Sequence, residues 1–221
     1  MNKPISLLML SFVFVLRGIT QNHLPLKIWN GTGDHPLLFY MSGDGGMNSF
    51  STNLCLALNT YGYPVAALDS RSYFWQKKTP DQTATVISGY LGEALTHSQS
   101  GQMIFVGYSF GADVVPFIVN RLSAALKNKL TCVILLSPSA STDFEIHISD
   151  ILGGTVKRAM DVLPAINSMI VPKATIIFGS DEAGFAADHI TLKNCTIETI
   201  DGNHQYDGDA FKVASAIVKY F

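Results

Sequence analysis

From about residue 24 to the C-terminus, short apolar runs alternate with longer segments whose apolar positions recur at helical spacing. The runs at 27–29, 37–41, 65–68, 103–106, 130–136, 175–178 and 196–200 are mostly β-branched, aromatic or otherwise apolar. Near-continuous hydrophobicity over so few residues is what a strand buried on both faces requires. Between the runs, residues 50–60, 81–97, 110–126 and 210–220 carry helical patterns, with Pro80 and Asp81 suited to a first turn. This alternation predicts an α/β domain, a mostly parallel central sheet with helices on both faces. The long connection at 137–172 predicts a helix around 155–163 and a short lid over the carboxyl ends of the strands, where such sheets bind ligands.

The first residues follow a different pattern. Lys3 precedes an apolar stretch over 5–16 that ends at Arg17 and Gly18. It falls short of the roughly 20 residues a bilayer span needs and fits the apolar region of a secretory signal peptide. Residues 1–20 are therefore expected to be a signal peptide cut after a small-x-small site at Gly18-Ile19-Thr20, or an uncleaved N-terminal tether. A buried first strand or helix is the alternative. Residues 24–221 are expected to form one catalytic domain, since 221 residues at 48% hydrophobic content supply one sizeable core.

Charge narrows the partners. With 15 Lys+Arg against 17 Asp+Glu and no basic run, nothing in the chain is suited to a phosphate backbone, so nucleic acid is excluded. The three cysteines, Cys55, Cys132 and Cys195, form no Cys-x-x-Cys pair and are assigned no metal or redox role. No cofactor and no metal is called for.

The chemistry centres on Gly107-Tyr108-Ser109-Phe110-Gly111. An apolar run leads into it and a helical pattern leaves it, the strand, sharp turn and helix of a nucleophile elbow. That context identifies Ser109 as a candidate nucleophile and the domain as an α/β-hydrolase fold; the alternative is a serine that merely caps the helix. In this fold an acid and then a histidine follow the serine in the chain. Asp181 lies just past the strand at 175–178, and His204 just past the strand at 196–200. Glu182 is the rival acid, and the strand-end position favours Asp181. His23, His35, His97, His147 and His189 do not follow a strand that would aim them at Ser109. The oxyanion hole is expected from the backbone amides of Phe110 and Asp44, the latter in the glycine-rich turn Ser42-Gly43-Asp44-Gly45-Gly46.

Several blocks together resemble the bacterial VirJ/AcvB virulence proteins. They are Ser42 to Gly46; Asp69-Ser70 with Tyr73-Phe74-Trp75 and Lys77-Lys78-Thr79-Pro80; Gly107 to Asp113; and Phe144-Glu145-Ile146-His147. The resemblance, to the short VirJ-like form, implies a periplasmic α/β-hydrolase that cleaves the ester of an aminoacyl-phosphatidylglycerol such as the lysyl lipid. It also implies contact with a membrane surface and with secretion-system proteins. Gly45, Asp69, Tyr73, Trp75 and Glu145 are the candidates for binding such a substrate, with Lys77 and Lys78 facing anionic phosphate.

Overall fold

A computed structural model describes residues 24–147 and 156–221. The predicted signal segment, 1–20, and the middle of the long connection lie outside the described residues.

Seven strands form one sheet: β1 (Leu26–Trp29), β2 (Leu37–Met41), β3 (Val65–Leu68), β4 (Met103–Tyr108), β5 (Leu130–Leu136), β8 (Ala174–Gly179) and β9 (Cys195–Ile200). Their order across the sheet is β1-β3-β2-β4-β5-β8-β9; β1 runs antiparallel to β3 and every other pair is parallel. The short strands β6 (Ser141–Thr142) and β7 (Met160–Asp161) form a separate ribbon.

The near-continuous apolar runs follow from helices covering both faces. In β2, Leu37, Phe39 and Met41 join one core while Leu38 and Tyr40 join the other. β4 and β5 divide likewise, with Phe105, Val133 and Leu135 on one side and Ile104, Val106, Cys132 and Ile134 on the other. The first core is roofed by α3 (Pro80–Ala94), α4 (Phe110–Arg121) and α6 (Val162–Asn167), the second by α1 (Ser49–Thr60) and α7 (Ala210–Ile217). All three thiols are free, and burial pushes each of them up, Cys132 to about 12 and Cys195 to about 11. Among the described residues no helix is long and apolar enough to cross a membrane.

Local side-chain chemistry resets three helix limits. Pro80 opens α3 as the pattern predicts, with Thr79 and Gln82 making a reciprocal capping box. The pattern over 110–126 is not one helix: α4 stops at Arg121, Leu122 is extended, and Ser123 caps a new short helix, α5 (Ala124–Lys127). The helix expected around 155–163 instead begins at Val162, because Met160 and Asp161 pair with β6.

The site depends on one close approach. A Cβ on Gly111 would lie 2.1 Å from the Met41 carbonyl oxygen, so the first turn of α4 packs on the end of β2 with no room for a side chain. Gly111→Ala is expected to lower stability by about 1–3 kcal/mol, toward the upper end because the obstruction is backbone and cannot rotate away. A denaturant midpoint equal to that of the wild type would contradict this packing.

Candidate active site

β4 runs straight through Gly107 and Tyr108 to Ser109, which takes φ 51° and ψ −122°. A non-glycine residue in this region is strained, and the strain holds the side chain clear of both strand and helix. Ser109 occupies the position before α4 but makes no side-chain cap bond. Its Oγ lies instead 2.9 Å from Nε2 of His204, which rules out the capping alternative.

His204 sits in the turn beyond β9. That turn packs onto the end of β8 at Gly179, where a Cβ would come within 2.3 Å of the Asn203 carbonyl oxygen. On the other side of the ring, Nδ1 lies 2.9 Å from Oε2 of Glu182. The acid that touches the histidine is therefore Glu182, and the expectation of Asp181 is corrected. After β8 the chain folds back, with the Glu182 amide donating to the Gly179 carbonyl and the Asp181 amide to the Gly202 carbonyl. This reversal turns position 182 toward His204 and leaves the Asp181 side chain exposed beside Ser180 Oγ.

Glu182 is held from its other oxygen as well. Oε1 accepts from the Gly179 amide at 2.6 Å and from Ser137 Oγ at 2.5 Å. Ser137, at φ 52° just past β5, also lies 2.8 Å from the buried Tyr206 hydroxyl, which donates to the Ile177 carbonyl. Sequence reasoning missed Ser137 and Tyr206. Position at a strand end is a signal for Ser137; nothing in the residues around Tyr206 advertises its role.

Electrostatics follow from these contacts. Burial pushes the Glu182 carboxyl up, but hydrogen bonds from His204, Ser137 and the Gly179 amide together outweigh it and hold the group below its ordinary value. The hydrogen bond to Glu182 raises His204 above the ordinary histidine value, against an opposing effect of burial. Neutral His204 can accept the Ser109 proton, and anionic Glu182 can stabilise the imidazolium that results.

The described residues line a cleft of about 1180 Å³ that includes Ser109, Phe110, Gly43, Asp44 and Gly45. Phe110 is the first residue of α4, so its amide has no acceptor within the helix. The Gly43 backbone stands against Ser109, since a Cβ on Gly43 would be 3.2 Å from the serine Cβ. Both expected oxyanion donors thus belong to segments that border Ser109.

The matching sequence family is the bacterial virulence protein VirJ, over residues 35–221. The chain belongs to the VirJ family. No curated protein matches the chain. Solved structures share the fold at low identity, as three of them illustrate. MenH from S. aureus has a TM-score of 0.66 at 13% identity, covering 88% of this chain and 97% of its own. The enol-lactonase from Burkholderia xenovorans LB400 has a TM-score of 0.65 at 16% identity, covering 89% and 95%. The thioesterase domain from the curacin biosynthetic pathway has a TM-score of 0.57 at 14% identity, covering 87% and 94%. This VirJ-family chain has the α/β-hydrolase fold.

The remaining candidate positions in this VirJ-family chain divide. Gly45 and Glu145 line the cleft, Glu145 also lying 3.8 Å from Lys77. Asp69, Tyr73 and Trp75 are not among the described residues that line it. Asp69 caps α2 (Ser70–Tyr73), accepting from the Ser72 amide and hydroxyl. Tyr73 lies under the Lys78 ammonium, and Trp75 is 55% exposed. The aromatic that supports the site is Phe74, fully buried against Phe110 and Phe144.

The other described histidines stay away from Ser109: His35 packs on Tyr63, His97 lies just past α3, His147 pairs with Asp143 and His189 lies beside Asp188. Among the described residues, Asp143, Glu145 and His147 bring ligand atoms within 4.8 Å of one another, close enough to share an ion. They are already engaged, Asp143 with His147 and Glu145 with Lys77.

Glu182→Gln is expected to lower the His204 titration midpoint by about one pH unit or more, because an anionic partner is removed. Asp181→Asn should leave it in place. Both are read by histidine NMR, and the reverse pattern would return the acid to Asp181.

Proposed function

We propose that this VirJ-family protein is a serine hydrolase of carboxyl esters, acting on an aminoacyl-phosphatidylglycerol of the lysyl type at the periplasmic face of the inner membrane. The observation that carries the reading is the relay from Ser109 Oγ through His204 to Glu182, 2.9 Å at each step. Fold neighbours named as a thioesterase and an enol-lactonase support acyl chemistry in this scaffold. The choice of an aminoacyl lipid and of the periplasm rests on the family resemblance and on the apolar N-terminal segment.

In this mechanism His204 Nε2 takes the Ser109 proton as Oγ attacks the ester carbonyl. The tetrahedral oxyanion is received by the amides of Phe110 and Asp44. Collapse breaks the bond to the alcohol oxygen, which leaves with the proton held by His204. Water, deprotonated by the same histidine, then cleaves the acyl-serine, releasing the acid and restoring Ser109. Glu182 stays ionised throughout and stabilises the imidazolium.

A fluorophosphonate should label folded protein at Ser109 and fail to label Ser109→Ala; labelling that persists in that variant would sink the nucleophile assignment. His204→Ala should cost about 10⁴-fold or more in turnover. Because His204 must be neutral to accept a proton and its pKa is raised, kcat/KM should climb with pH through a midpoint above the ordinary histidine value of about 6.5. Release of lysine from lysyl-phosphatidylglycerol liposomes, compared with cleavage of short soluble esters, decides the substrate. Faster cleavage of the soluble esters would remove the lipid from the proposal.

A further inference from the structure

Most carboxylates around the cleft have a cationic partner. Glu182 faces His204, Asp143 faces His147, Glu145 lies near Lys77, and Asp161 lies 3.4 Å from Lys157. Asp44 differs, because its half-buried side chain makes no hydrogen bond or ion pair among the described residues. Asp113 differs too: it is 4% exposed, lines the same cleft, and is bonded by neutral groups of Ser139, the amide at 2.6 Å and the side chain. The two acids are close enough to influence one another, and both act on His204.

This placement is costly for ester cleavage by itself. Asp44 belongs to the loop expected to receive the oxyanion, and an uncompensated negative charge there opposes the charge that develops in the transition state. A substrate that brings its own positive charge removes the conflict. We infer that Asp44 and Asp113 form an ammonium subsite that reads the α-amino group of an aminoacyl ester. The inference rests on the hydrolase reading above and adds to it which charged group of the acyl part is read, and by which residues.

Position selects the α-amino group over a side-chain amine. The residue before Asp44 stands against Ser109, with the would-be Gly43 Cβ 3.2 Å from the serine Cβ. Asp44 therefore borders the scissile carbonyl, where the α-ammonium is one bond from the carbon next to the carbonyl. A lysine ε-ammonium lies four methylenes further out. Burial pushes the Asp113 carboxyl up to about 7, so a bound cation would also draw that group into its ionised form. A neutral acyl group would leave both carboxyls facing the cleft with no cation bonded to either among the described residues, and sites built this way discriminate strongly against the analogue that lacks the matching group.

The test compares p-nitrophenyl esters of alanine and isobutyrate, which differ by an ammonium for a methyl, with each rate divided by the ester's own hydroxide rate. Wild-type protein should prefer the alanyl ester by about 30-fold or more, and Asp44→Asn should cut that preference at least about tenfold. Asp113→Asn, which keeps an acceptor for the Ser139 amide, should also reduce it. Lysyl and norleucyl esters, differing only in the ε-ammonium, should react within about threefold of each other. If Asp44 served only to tune His204, its replacement would change the rates of both members of the first pair by the same factor, and the subsite would be overturned. A strong preference for lysyl over norleucyl, or wild-type turnover with no alanyl preference, overturns it as well while leaving ester hydrolysis intact. No turnover of any ester together with no fluorophosphonate label removes the hydrolase reading itself.

Discussion

The contact between α4 and the end of β2 governs the active-site edge. Gly111 admits the Met41 carbonyl where any Cβ would collide with it, and that closeness lets two non-adjacent stretches of chain meet at one point. From one side comes Ser109, held at positive φ between β4 and α4. From the other comes the loop after β2, whose Gly43 backbone lies on the serine. The two amides expected to receive an oxyanion therefore lie on different segments that meet at one packing contact. Neighbouring parallel strands then deliver Ser137, Glu182 and His204 to the same edge, because every strand of the seven-stranded sheet except β1 points its carboxyl end that way.

The acid is better supported than a loop residue would ordinarily be. Both oxygens of Glu182 are engaged, one by His204 and the other by Ser137 and the Gly179 amide. Those bonds outweigh the cost of burial and keep the carboxyl ionised. Tyr206, buried beneath the histidine turn, ties the arrangement to β8 through the Ile177 carbonyl. The relay thus rests on the backbone of β8 at two positions, Ile177 and Gly179, which limits how far the imidazole can swing when its proton moves.

The elements were legible because both faces of the sheet are covered. Residues 37–41 and 130–136 read as strands since alternate side chains enter two apolar cores, and the helix starting at Pro80 announced itself through its first turn. Ser109 was singled out by the Gly-x-Ser-x-Gly turn between a strand and a helix, and His204 by chain order and its place past the last strand. What escaped the sequence was fine geometry. The choice between Asp181 and Glu182 depends on a chain reversal set by two backbone hydrogen bonds, which leave no mark in residue type. Tyr73 and Trp75 looked like pocket aromatics, yet a four-residue helix capped by Asp69 turns Phe74 inward in their place. The break in the 110–126 pattern also came from one side chain, Ser123, whose capping bond begins a second helix.

The protonation of His204 links these parts. Glu182 raises its affinity for a proton, and the more distant charges of Asp113 and Asp44 act in the same direction. Taken alone, that bias works against a general base, which must begin neutral. An α-ammonium seated between the two aspartates would cancel their contribution and favour neutral imidazole, while the direct bond to Glu182 would remain to stabilise the imidazolium once Ser109 gives up its proton. The cation would then act twice, relieving the negative field at the oxyanion loop and releasing the base. On this reading the two aspartates make the empty site a poor hydrolase and the occupied site a good one, so that recognition of the amine and activation of the serine are one electrostatic event.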